Sequence, residues 1–146
     1  MKITEYTGDV FAAEGPLAHG VNTKGVMGAG VAKIVRQKYP NTYEVYKELC
    51  RAELLRPGTY VPVLENGRWV FNMATQEYPG ANATLELITS SFTLMARHTK
   101  LLDFSHVNMP RIGCGIGGLT WPEVRATLEV IDSDLELHVY TLPEGN

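Results

Sequence analysis

The sequence predicts an α/β fold: one domain over residues 1–146, with a mixed sheet covered by helices on both faces. Three observations carry this. Short apolar runs of strand length alternate with longer stretches of helical spacing. Asn66-Gly67 between two such runs is a hairpin signal, which puts an antiparallel pair into an otherwise parallel arrangement. Two glycine-rich loops each follow a strand and each open a helix.

In chain order, Lys2 to Thr7 alternates weakly and reads as an early or edge strand, broken by Gly8-Asp9. Residues 17–22 read as a buried strand. Polar Asn22, Thr23 and Lys24 follow it, then glycines at 25, 28 and 30. A helix from about residue 30 carries Val31, Ile34 and Val35 on one face and runs to Tyr39, stopping before Pro40. Asn41 is placed to cap a second helix holding Tyr43, Val45, Tyr46 and Leu49. Pro57-Gly58 is a turn, and Thr59 to Leu64 and Arg68 to Met73 are the hairpin strands. After the loop Pro79 to Asn82, either Asn82 or Thr84 caps a long helix with Leu85, Ile88, Phe92 and Met95 at helical spacing. Val107 and Met109 mark a short strand closed by Pro110. A second glycine loop, Arg111 to Leu119, leads into Thr120-Trp121-Pro122-Glu123, a capping box that opens the last helix, to about Ile131. Leu135 to Leu142 alternates apolar and polar residues and closes the fold as a strand.

Composition narrows the partners. Thirteen Lys and Arg against sixteen Asp and Glu give a net charge of -3. That weighs against sequence-independent nucleic-acid binding, which needs clustered cations to neutralise phosphates. No apolar run approaches membrane-spanning length, and Met1 to Val10 lacks a signal-peptide core, so a cytoplasmic protein with no membrane partner is expected. Cys50 and Cys114 have no metal-ligand spacing and read as free thiols; no metal and no cofactor is expected. A monomer is expected.

The glycine loops carry the chemistry. Glycine lets a ligand approach the main chain closely. A helix start leaves unpaired N–H groups with partial positive charge behind them. In open α/β sheets, ligands sit outside the carboxyl ends of the strands. Two such loops converging there suit a diphosphate held by main-chain amides, although a glycine-rich strand-to-helix turn also serves structure alone.

At these residues the chain resembles the macrodomain family, whose members bind ADP-ribose. The likeness covers nearly the whole chain: Gly8-Asp9, Met27 to Ala32, Met109 to Gly115, Trp121 and Val139 to Leu142, in that order and spacing. The nearest subgroup looks like that of the terminal ADP-ribose glycohydrolase and the phosphatase acting on ADP-ribose-1″-phosphate. The resemblance implies a three-layer α/β/α fold with a mixed sheet of about six strands. It implies that Asp9 accepts from the adenine amino group and that the Val10 amide faces the ring nitrogens. It implies that Gly28, Ala29 and Gly30 flank the distal ribose and diphosphate, with Asn22 at that ribose. Ile112, Gly113, Cys114, Gly115, Ile116 and Gly117 then wrap the diphosphate.

The sequence departs from the glycohydrolase pattern where covalent chemistry would occur. The glycohydrolase lysine position is Gln76, and its loop aspartate position is Gly117. An amide cannot form a Schiff-base adduct, and a glycine cannot move a proton. His19 and Asn22 are the remaining catalytic candidates, His19 because a histidine shuttles protons near neutral pH. Against that, His19 lies in an apolar strand, where a structural role is ordinary. Lys24, Glu77 and Cys114 have weaker claims as phosphate partner, water-orienting base and activated thiol. Trp121 reads as packing under the last helix.

Three functions of different class follow. One is a hydrolase of an ADP-ribose derivative, ADP-ribose-1″-phosphate or ADP-ribosylated protein, acting by positioning rather than by a lysine nucleophile. One is a non-catalytic reader of ADP-ribose. The third, nucleic-acid binding, is disfavoured by charge.

Overall fold

The computed structural model describes residues 1–143. Six strands form one sheet in the order β1-β6-β5-β2-β4-β3. They are β1 (Ile3–Thr7), β2 (Leu17–Val21), β3 (Tyr60–Glu65), β4 (Arg68–Ala74), β5 (His106–Met109) and β6 (Glu136–Thr141). Every pairing is parallel except β3 with β4. That antiparallel pair is the expected hairpin, with Asn66 and Gly67 both at positive φ, as a tight primed turn requires. The sheet is therefore mixed and six-stranded, with four helices: α1 (Gly30–Lys38), α2 (Pro40–Arg51), α3 (Leu85–Leu101) and α4 (Trp121–Glu129).

Strand alternation sends side chains to two cores. Ala18, Phe71, Val107, Met109, Leu137 and Val139 pack with Ile88, Phe92 and Met95 of α3 and Val124 and Leu128 of α4. Leu17, Val21, Val61 and Val70 pack with Val35 of α1 and Tyr46 of α2. Each fully buried large side chain contributes about 1.5–3 kcal/mol, so both layers are needed to hold the sheet. On β1 and β6 the alternate residues stack as rings, Tyr6 on Tyr140 at 5.1 Å between centroids. No helix among the described residues is long and apolar enough to cross a membrane.

Boundaries differ from expectation in small ways with clear causes. Asn41 does not cap α2. The helix starts two residues earlier, with Pro40 at its first position and Tyr39 as cap residue. The orphan amides of Asn41 and Thr42 donate instead to the Glu65 carboxylate at the end of β3 (3.2 and 2.7 Å). Thr84, not Asn82, caps α3. Asn82 closes its own loop, donating to the Tyr78 carbonyl. The last helix ends at Glu129, two residues short of Ile131. Ile34, expected on the buried face of α1, is 37% exposed.

The topology makes a crevice. β2 and β5 are neighbours, yet their ladder holds one pair, Leu17 with Asn108. The chain leaves β2 for α1 on one face of the sheet and leaves β5 for α4 on the other. This is a switch point, where the two departing loops must part and leave an opening above the strand ends.

Candidate functional site

A cleft of about 890 Å³ occupies that opening, a size suited to a nucleotide-scale ligand. Its residues come from the carboxyl ends of five strands in sheet order. Gly8 to Phe11 follow β1, Tyr140 and Leu142 end β6, Pro110 to Gly117 follow β5, Gly20 to Asn22 end β2, and Thr75 and Gln76 follow β4. At about 4.8 Å per strand the cleft spans roughly 19 Å from β1 to β4, which calls for an elongated ligand.

The helix starts differ in how their first amides are served. Most of them are served by side chains. Asp9 Oδ1 accepts from Phe11 N (2.9 Å) at the short 3-10 turn Val10–Ala12. Glu65 serves α2, Thr84 serves α3, and Glu123 accepts from Thr120 N (3.1 Å) at α4. Two starts receive no side-chain acceptor at all: α1, preceded by Ala29, and the 3-10 turn Gly115–Gly117, preceded by Cys114. Both line the cleft. The helix starts that receive no side-chain acceptor are thus those of the two glycine loops, where an anion would take the place of the missing caps.

Gly30 and Gly115 adopt positive φ, +59° and +64°, so the loops need glycine there for conformation. Gly113, also at positive φ, would drive a Cβ to 2.7 Å from Ile88 Cδ1. A Cβ on Gly20 would stand 2.8 Å from Thr75 Oγ1, so glycine keeps the cleft floor low. Thus Gly28, Ala29 and Gly30 face Ile112 to Gly117 across one opening, with Asp9 and Val10 at its β1 end.

Asn22 lines the cleft but its side chain is largely engaged. Its Oδ1 accepts from Lys24 N (2.9 Å) and from the buried Tyr46 hydroxyl (2.9 Å), and its Nδ2 donates to Val26 O (2.8 Å). One Nδ2 hydrogen remains for a ligand. Asn22 therefore shapes the first loop as much as it contacts anything in it. Gln76 is used in a similar way: Nε2 donates to Tyr78 O (2.6 Å) and Gly80 O (2.8 Å), pinning the loop after β4.

His19 is not brought to the site. It lies beneath the cleft, buried between β2 and β4, opposite Asn72. Nε2 bonds Asn72 Oδ1 at 2.6 Å, and Asn72 Nδ2 donates to Val61 O, which orients the amide to accept from the imidazole. Burial pushes its pKa down to about 4, the Asn72 bond opposing this only in part. A neutral imidazole sealed in the core cannot exchange protons with a ligand in the cleft. Lys24 and Glu77 sit at the rim, paired with each other (3.7 Å), and Lys24 lies 4.7 Å above the Tyr78 ring. Neither lines the cleft. Burial pushes the Cys114 thiol up, so packing rather than nucleophilicity suits it. Trp121 packs at the start of α4 as expected and also walls the cleft, its Nε1 donating to Glu5 Oε1 (3.0 Å).

The residues missed by sequence reasoning act over long range. Tyr46, 24 residues from Asn22, fixes its amide. Glu65 caps a helix 23 residues away. Thr75 gave no local signal, being one polar residue after a strand.

Comparison with known proteins agrees with this fold. The Macro domain family model matches residues 18–128. The human protein named ADP-ribose glycohydrolase OARD1 is 29% identical over 145 residues, covering 97% of this chain and 92% of its own. The ADP-ribose 1″-phosphate phosphatase of Candida albicans is 30% identical over 139 residues, 86% of each chain. The macrodomain of Mycobacterium tuberculosis DarG superposes with a TM-score of 0.84 at 26% identity, over 94% of this chain and 96% of that one.

Proposed function

The chain belongs to the Macro domain family, and from that membership we propose that its cleft binds ADP-ribose. One observation carries the reading: of the helix starts, the two that receive no side-chain acceptor face each other across the cleft. A diphosphate bridging them supplies the missing acceptors. Asp9 and the Val10 amide then take the adenine at the β1 end, and Asn22 and Gln76 meet the distal ribose at the β4 end.

At that distal end the lining side chains are neutral: Asn22, Thr75 and Gln76. Relatives named as a glycohydrolase and a phosphatase support hydrolysis of an ADP-ribose derivative. Here that would proceed through a positioned water and loop electrostatics, without a lysine nucleophile. The same neutrality favours a second reading, a reader of ADP-ribose on proteins or as a free metabolite. We propose further that residues 1–146 form a single domain and that the protein is monomeric and cytoplasmic.

Calorimetric titration with ADP-ribose, ADP and AMP tests binding, with affinity expected to fall in that order. Absence of ADP-ribose binding would remove the proposal. Hydrolysis of ADP-ribose-1″-phosphate or glutamate-linked ADP-ribose then separates enzyme from reader.

A further inference from the structure

Among the described residues that line the cleft, one side chain is cationic, Arg111, and one is anionic, Asp9. Arg111 rises from the root of the second glycine loop, where its carbonyl accepts from Cys114 N (3.3 Å). Its guanidinium lies 5.7 Å from the Trp121 ring centroid and is turned toward Glu5 on β1. That places it on the adenosine side of the loop, since β1 supplies Asp9.

Its hold there is loose. Arg111 Nη2 stands 3.6 Å from Glu5 Oε1, beyond hydrogen-bond distance. The same Oε1 already accepts from Trp121 Nε1 (3.0 Å), and Oε2 is taken by Arg125. Arg125 is held further by Glu129 (2.8 Å). Arg111 Nε is buried with no hydrogen-bond acceptor, an arrangement that costs stability unless something fills it. The side chain is nevertheless 38% exposed, so it has room to move. This guanidinium, with an unfilled donor at the wall of a cleft whose loops present only neutral amides, shares its one counter-anion, Glu5, with Trp121 and Arg125.

We propose that Arg111 is the charge partner of the ligand's adenosine-side phosphate. On binding, it gives up its loose pairing with Glu5 for the phosphate oxygens. The inference rests on the ADP-ribose reading above and adds the one full positive charge that the amide cradle lacks. Glu5 acts as its holder, a positioning residue that competes with the ligand for the same cation. Charge-assisted contacts of this kind are stronger than amide contacts alone.

The test is a titration series with adenosine, ADP and ADP-ribose on the unmodified protein, Arg111→Ala, Arg111→Lys and Glu5→Gln, each checked for folding by thermal melting. Arg111→Ala is expected to weaken ADP and ADP-ribose by about tenfold and to leave adenosine within about twofold. Arg111→Lys should recover part of the loss. Glu5→Gln keeps an acceptor for Trp121 but removes the competing charge, so it should tighten ADP-ribose binding, and the gain should vanish in the double variant with Arg111→Ala. Equal losses for adenosine and ADP would overturn the proposal, making Arg111 a support for the base site. So would an unchanged ADP affinity in Arg111→Ala, or weaker binding in Glu5→Gln. Failure of the unmodified protein to bind ADP-ribose would be seen before any substitution, and would remove the underlying reading and this proposal together.

Discussion

A Cβ on Gly30 would lie 3.3 Å from Ile116 Cδ1, so the two glycine loops meet over the cleft at this pair. Ile116 is 52% exposed and packs on the one residue at the start of α1 that has no side chain to oppose it. The contact turns two separate loops into one bridge, under which a diphosphate would be enclosed from both sides. Gly115 is the neighbouring position, and a Cβ there would meet nothing within 4 Å.

Gly115→Glu therefore tests the cradle without a clash against the protein. Its φ of +64° makes any side chain there strained, by about 1–2 kcal/mol. The variant is expected to melt a few degrees lower but cooperatively. ADP-ribose binding should fall below detection, because a carboxylate fills the anion site. Wild-type affinity in the folded variant would exclude the second loop as the phosphate cradle.

Asp9 has a structural duty as well as the adenine contact proposed for it, since its Oδ1 caps the turn after β1. Two variants separate these. Asp9→Ala should weaken ADP-ribose by about 1–3 kcal/mol, through an unsatisfied adenine amino group and a frayed turn. Asp9→Asn keeps a capping oxygen while replacing the other acceptor with a donor. If the adenine contact matters, Asp9→Asn should bind nearly as poorly as Asp9→Ala. Full affinity in Asp9→Asn would mean that only the cap counts.

His19 sets an acid limit on stability. Its folded pKa of about 4 lies below the unfolded value near 6.5. Between those values the unfolded chain binds a proton that the native core refuses. Its contribution is complete above about pH 6.5 and declines as pH falls toward 4, by up to about 3 kcal/mol across the window. Urea unfolding at several pH values should give a shallower decline for His19→Gln than for the unmodified protein. Parallel curves would mean that the core accepts the imidazolium. Ligand affinity corrected for folding should not change, since the ring does not reach the cleft.

The sequence made the strands, the hairpin turn and both glycine loops legible, because each depends on local pattern: alternation, Asn66-Gly67, and glycine between a strand and a helix. It also made legible that Gln76 and Gly117 lack the chemistry of the glycohydrolase pattern. It did not reveal that Asn22 is held by Tyr46, or that Arg111 is the one cation lining the cleft among the described residues. Those facts depend on where distant strands end. His19 looked attractive because histidine chemistry is legible in any sequence, whereas its seal against Asn72 is a cross-strand pairing 53 residues apart. Side-chain orientation within a strand of continuous apolar residues gives no period from which to choose a face.

The fold brings the two departures, Gln76 and Gly117, into contact range. A Cβ on Gly117 would stand 3.5 Å from Gln76 Oε1 and 3.1 Å from Ala83 Cβ. Gly117 is not among the residues at positive φ, so a side chain there is conformationally acceptable if Ala83 gives by a few tenths of an ångström. No lysine lines the cleft among the described residues, and Lys24 is held at the rim by Glu77. Incubation with ADP-ribose under reducing conditions should therefore leave no covalent lysine adduct by mass spectrometry. An adduct on Lys24 would show that the rim closes over the ligand. The double variant Gln76→Lys with Gly117→Asp restores an amine and a carboxyl group at facing positions. It is expected to form the trappable adduct and to gain measurable release of ADP-ribose from glutamate-linked substrate, while Gln76→Lys alone should gain less for want of the acid. The new ammonium can still donate to Tyr78 and Gly80 carbonyls as the amide does, so the loop should stay pinned. That same bonding holds the nitrogen away from the ribose, and the gain should rise with pH as the amine loses its proton. A double variant that binds ADP-ribose as well as the unmodified protein, yet forms no adduct even at high pH, would show that the pinned loop, and not the missing groups alone, bars the covalent route.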